Sequence, residues 1–152
     1  MKKLLLFFFC ITASIYAKAQ KPNPDYDAQL AKKYEADDYG MKKYVLVMLK
    51  TGSNTTATKA ENDTAFAGHM ANMGKLVKEN KLIVAGPLGK NDKNYRGIFI
   101  LNVKTIDEAK QILATDPAVK ANLLDADLFE WYGSAALAAY LGASEKVGKF
   151  KF

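Results

Sequence analysis

"KLIVAGPLGKNDKNYRGIFILNV", residues Lys81 to Val103, contains two apolar runs separated by a short polar connection. The first, Lys81 to Gly89, is rich in β-formers and closes on Gly86-Pro87. The second, Arg96 to Val103, places Ile98 and Ile100 on one side of a strand and Phe99 and Leu101 on the other. Two such runs joined by a few turn-forming residues predict a β-hairpin, with Lys90 to Tyr95 as the connection.

What flanks the hairpin decides the fold. Upstream, "KKYVLVML" (Lys42 to Leu49) predicts a strand that is apolar on both faces. A loop over "TGSNTTATKAEN" leads into a helix from about Asn62 to Asn80, in which Phe66, Met70, Met73 and Val77 recur at helical spacing. Downstream, Thr105-Ile-Asp-Glu108 matches a capping box. The helix it opens runs to about Thr115, where Asp116-Pro117 stops it. "DLFEWY" (Asp127 to Tyr132) predicts the last strand. The order β-α-β-β-α-β is the split βαβ, or ferredoxin-like, arrangement of an α+β protein: a four-stranded antiparallel sheet with two helices on one face. The other face should alternate to polar if it met water. Instead both sides are apolar, Tyr44, Leu46 and Met48 against Val45, Val47 and Leu49, and Ile98 and Ile100 against Phe99 and Leu101, which predicts a homodimer packed sheet against sheet.

The ends read differently from the middle. "MKKLLLFFFCITASIYAKAQ" has a basic start, a short apolar run and the small-x-small pattern Ala17-Lys18-Ala19, the pattern of a signal peptide over residues 1–19. The apolar run is shorter than the ~20 residues a spanning helix needs, so no stable membrane anchor is expected. The expected product is exported, periplasmic or secreted, starting near Gln20. Its residues 20–41 form a Pro-rich linker with a short helix, 42–133 the domain, and 134–152 a tail with a small apolar helix. Cleavage removes Cys10, the only cysteine, and three lysines; 19 basic side chains then face 16 acidic ones instead of 22 facing 16. The lysines are scattered among acids, which argues against nucleic acid as a partner.

His69 is the only histidine, at the edge of the apolar stripe of its helix. The alternation of the chain places the start of the first core helix and the end of the second at one end of the sheet. His69, read as lying in the first two turns, would converge there with Asp116, Gly86-Pro87 and the Lys90–Arg96 connection. A histidine with an acid in reach is the composition of an acid–base dyad. Each residue also has a plainer reading. His69 can be a core-edge histidine, and Asp116 before Pro117 is the pattern of an N-cap for the short turn "PAVKANL". One histidine and no mature cysteine leave no zinc-ligand spacing, and "GPLGKNDKNYRG" lacks the spacing of a phosphate loop, so neither metal nor cofactor is expected.

The elements "FAGHMANMGKLVKENKLIVAGPLG", "DEAKQILATDPAVKANLL" and "LFEWYGSAAL" resemble the YciI-like (YCII-related) domain. The matching features are a histidine in the first core helix, Ala-Gly-Pro closing strand two, Asp-Pro after the second helix and an aromatic in strand four. Asn80 stands where that family often has glycine, and Asn122 where a small residue is common; asparagine tolerates the positive φ such positions take. The resemblance implies a dimeric α+β barrel and a His69–Asp116 active-site pair. Relatives of this kind look like dehydrochlorinases or lactone-type isomerases acting on small ring compounds.

Two functions follow as expectations. In the first, His69 moves a proton on a small cyclic organic substrate, Asp116 orients it, and Gly86, Pro87, Tyr44 and Trp131 line the pocket. In the second, the same cleft belongs to a non-catalytic dimeric module that binds a small ligand.

Overall fold

Two threonine–glutamate capping boxes set the starts of the helices that cover the sheet. The computed structural model describes residues 21–149; the expected signal segment, residues 1–19, lies outside them. Thr58 and Glu61 exchange side-chain and backbone hydrogen bonds at the start of a 20-residue helix, Lys59–Lys78. Thr105 and Glu108 do the same for Ile106–Leu113. Each box satisfies amides that a helix start otherwise leaves unpaired.

In chain order the elements are α1 (Ala28–Tyr34), β1 (Met41–Thr51), α2 (Lys59–Lys78), β2 (Leu82–Pro87), β3 (Tyr95–Leu101), α3 (Ile106–Leu113), α4 (Pro117–Lys120), β4 (Leu124–Ser134), a 3₁₀ helix (Ala135–Tyr140) and α5 (Leu141–Val147). The sheet order is β2-β3-β1-β4 and every pairing is antiparallel. The ferredoxin-like α+β arrangement expected from the hairpin is therefore present. One boundary differs in a way that matters: α2 begins at Lys59, not near Asn62, so His69 is the eleventh of its 20 residues and lies mid-helix, not in the first two turns.

Directly paired residues of neighbouring strands share a face, so the register sorts the sheet into two sides. Val45, Val47 and Leu49 of β1 meet Leu101, Phe99 and Gly97 of β3. With Leu76, Ala109, Ile112, Leu113, Ala118 and Leu124 they form the buried core beneath the helices. Tyr44, Leu46 and Met48 take the opposite side, level with Trp131, Phe129 and Asp127 of β4. Ile98 and Ile100 belong to that side as well.

The two chain extensions close over one corner of the sheet. The amide of Ala135 donates to the Gly40 carbonyl, Tyr132 bonds Asp37 through its hydroxyl, and Lys42 pairs with Glu35 at 2.6 Å. Tyr44 is enclosed there; its hydroxyl donates to the Ser134 carbonyl at 2.9 Å and reaches that of Ala135 at 3.3 Å. Asn80 and Asn122 both take positive φ, 54° and 53°, where the chain leaves a helix for a strand. Among the described residues, no helix is long and apolar enough to cross a membrane.

Candidate active site

The mid-helix position puts His69 over the middle of the sheet. Its ring stacks on Phe99 with centroids 5.9 Å apart and planes 19° apart, and Phe66, one turn earlier, meets it edge-on at 6.0 Å. Phe99 pairs with Val47 on one side and Ala85 on the other, well inside the strands. The site is thus not at the end of the sheet, where an early-helix histidine would have placed it.

Asp116 reaches this ring from the short helix α4. The carboxylate has two oxygens and uses them for two purposes. Oδ1 accepts from the amides of Ala118 (2.9 Å) and Val119 (3.4 Å), capping α4, which carries Pro117 at its first position. Oδ2 lies 2.6 Å from His69 Nδ1. The cap reading and the dyad reading of Asp116 therefore describe one residue seen from its two sides.

Only 2% of Asp116 and 8% of His69 remain exposed. Burial is the largest single influence on the Asp116 carboxyl and pushes its pKa up. The His69 hydrogen bond, the imidazole charge and the two backbone amides together outweigh it and hold the pKa below the ordinary 3.8. An ionised carboxylate can only accept, so Nδ1 carries the proton and donates it to Oδ2. In neutral imidazole that leaves the lone pair on Nε2, which has no hydrogen-bond partner among the described residues.

A cleft of about 1090 Å³ opens beside the imidazole, lined by His69, Gly86 and Pro87 among others. Its walls include Phe66, Met70, Met73, Val77, Leu82 and Phe99. Tyr44 and Trp131 are not part of it. Their rings meet at a tilt of 37° with centroids 5.6 Å apart on the far side of the sheet, so in this chain they pack a corner instead of lining the pocket. The parity of β1 explains this: Tyr44 is one residue out of phase with Val45, Val47 and Leu49.

Gly68 is a site residue that sequence reasoning passed over. A Cβ built on it would lie 2.7 Å from Pro117 Cγ and 3.0 Å from Pro117 Cβ. The missing side chain is what lets α4 approach α2 closely enough for Asp116 to meet His69. An isolated glycine inside a helical pattern was the available signal, since it costs about 1 kcal/mol relative to alanine unless space requires it. Among the described residues, no group of three or more His, Cys, Asp or Glu is placed to hold a metal ion.

Residues 43–132 match the family model for the YCII-related domain, well over half the chain. The protein belongs to this family. Among solved structures, it is similar to 5-chloro-2-hydroxyhydroquinone dehydrochlorinase from Burkholderia phenoliruptrix in complex with 2,5-dihydroxybenzoquinone. That likeness is 25% identity over 57% of this chain and 92% of the other, with a TM-score of 0.40. No match is found among curated proteins.

Three outcomes test the geometry of this YCII-related site. Asp116→Ala removes the cap and strands a buried imidazole N–H, for a loss of about 2–4 kcal/mol in urea denaturation; Asp116→Asn keeps a capping oxygen and should lose about 1 kcal/mol less. Because the folded-state pKa is depressed, the stabilisation by ionised Asp116 is complete above the ordinary aspartate value and disappears as pH falls through the folded one. Wild type should accordingly lose more stability than Asp116→Asn as the pH is lowered from neutral through the ordinary aspartate value and below it. Gly68→Ala should lower the melting temperature, against the gain of about 1 kcal/mol that alanine brings to an unconstrained helix site; a rise would mean that Pro117 does not need the space.

Proposed function

We propose that this YCII-related protein is an exported acid–base enzyme acting on a small cyclic organic substrate, by proton transfer of the lyase, isomerase or dehydrochlorinase type. The observation that carries the reading is the 2.6 Å contact between His69 Nδ1 and Asp116 Oδ2 at the edge of an apolar cleft. His69 Nε2 takes a proton from the bound ring compound. Asp116 fixes the tautomer and stabilises the imidazolium that results, as an oriented carboxylate does for a general base. Phe99 and Phe66 hold the ring plane, so the base turns little between its neutral and charged states. Gly86 and Pro87 line the cleft along β2.

The proposed functional unit is a homodimer. The sheet face away from the helices carries Leu46, Met48, Ile98, Ile100 and Phe129, and Phe129 is 50% exposed. An apolar sheet face of this kind is covered in a stable protein, and a second copy covers it symmetrically.

Turnover of chlorinated hydroquinones and unsaturated lactones, compared between wild type and His69→Asn, tests the chemistry. The variant should lose about 10²–10⁴-fold in kcat while remaining folded. Equal rates would remove His69 from the chemistry and leave a ligand-binding module. For the dimer, sedimentation of wild type should show a two-subunit species that Phe129→Asp converts to monomer; a monomeric wild type at micromolar concentration would overturn the sheet-to-sheet assembly.

A further inference from the structure

The chain has one arginine among 22 basic residues, Arg96, and it lines the same cleft as the one histidine. Its position is set by an irregularity in the sheet. Leu49 pairs with Gly97 and Lys50 with Tyr95, so Arg96 is the residue of β3 left without a partner on β1. Such a bulge bends the strand and re-aims a side chain out of the regular alternation. On the other side of β3 the Arg96 carbonyl still accepts from the Leu88 amide at 2.9 Å, which anchors the backbone of the bulge to the end of β2.

Arg96 makes no ion pair among the described residues. Among the described residues the one carboxylate lining the cleft is Glu79, and it is engaged by Lys81 at 2.9 Å and Lys75 at 3.8 Å. Lys75 and Lys78 line the cleft too, so its charged edge is positive in sum while its walls are apolar. A guanidinium differs from the lysine ammoniums used everywhere else in this chain: its planar fork matches the two oxygens of a carboxylate.

We infer that the cleft binds a small ring compound carrying a carboxylate, with Arg96 as the residue that selects the charged group. The apolar body lies against Phe66, Met70, Met73 and Phe99, and the carboxylate is held at the rim by the guanidinium. Arg96 is exposed, so its charge is available to a ligand at little cost in desolvation. This inference rests on the reading of the cleft as the substrate site; recognition by Arg96 does not require that His69 act as a base.

The experiment uses tag-free protein and the imidazole C2 proton of its single histidine as the reporter, with benzoate and benzamide as probes. Benzoate should shift this signal with a Kd about 10- to 100-fold lower than benzamide, the range of a hydrogen-bonded charge pair. Arg96→Gln should bring the two probes to equal affinity with the melting temperature unchanged, and Arg96→Lys should restore part of the preference. An unchanged benzoate preference in Arg96→Gln overturns the assignment, as does equal binding of the two probes to wild type or binding of neither. Asp116→Asn separates the two readings. If the histidine pKa ignores that substitution while the benzoate preference persists, the acid–base proposal falls and the Arg96 assignment stands.

Discussion

The carboxylate of Asp116 is shared between a helix start and an imidazole, and the architecture of the site depends on that division. Oδ1 is committed to the amides of α4, so the carboxylate cannot rotate to solvent without uncapping the helix. Oδ2 is thereby presented to His69 Nδ1 in a fixed direction. The amides and the imidazole keep the group ionised despite burial, and an ionised acceptor dictates which ring nitrogen holds the proton. The approach of the two helices is in turn possible only because Gly68 offers no side chain to Pro117. The interaction that secures a four-residue helix therefore also holds the proton on Nδ1 and leaves the lone pair of the neutral ring on Nε2.

Much of the fold was legible because local and global signals agreed. The turn-rich connection between two β-forming runs specified the hairpin, Thr105 and Glu108 marked the start of α3, and Asp116-Pro117 marked the start of α4. Asn80 and Asn122 could be read as helix-to-strand turns, since asparagine is among the few residues that accept positive φ. The start of α2 was harder. Thr58 and Glu61 form a capping box, but they sit in a stretch of Thr, Ser, Asn and Gly that reads as loop throughout. An error of three residues there is enough to move His69 from the beginning of the helix to its middle, and the site from the rim of the sheet to a place over Phe99.

The misplacement of Tyr44 and Trp131 has another cause. Both faces of β1 are apolar, Val45, Val47 and Leu49 on one and Tyr44, Leu46 and Met48 on the other. Alternation tells which residues share a face; it does not tell which of two apolar faces meets the helices. That choice was made by the partners. α2 and α3 bring Leu76, Ala109, Ile112 and Leu113 onto the valine face, while the hydroxyl of Tyr44 is satisfied by carbonyls at the start of the 3₁₀ helix. An aromatic residue with a polar tip belongs where such acceptors exist, and the C-terminal extension supplies them.

The cleft itself follows from what the sheet leaves out. Across the helix-facing side, the row Ala85, Phe99, Val47 presents bulk beneath the imidazole. The next row, Pro87, Gly97, Leu49, has a glycine at its centre. A Cβ at Gly97 would lie 2.8 Å from the Gly86 carbonyl oxygen, so the glycine is required by the close approach of β2 and β3. Glycine inside a strand forgoes packing and costs conformational entropy, and interiors are otherwise filled to crystal-like density. Here the loss of bulk coincides with the bulge at the adjacent residue, Arg96. One local departure from a regular sheet thus leaves room next to the histidine and places the chain's only arginine at the edge of that room. A regular strand with a large apolar residue at position 97 would pack more tightly, and would have neither the space nor the re-aimed cation.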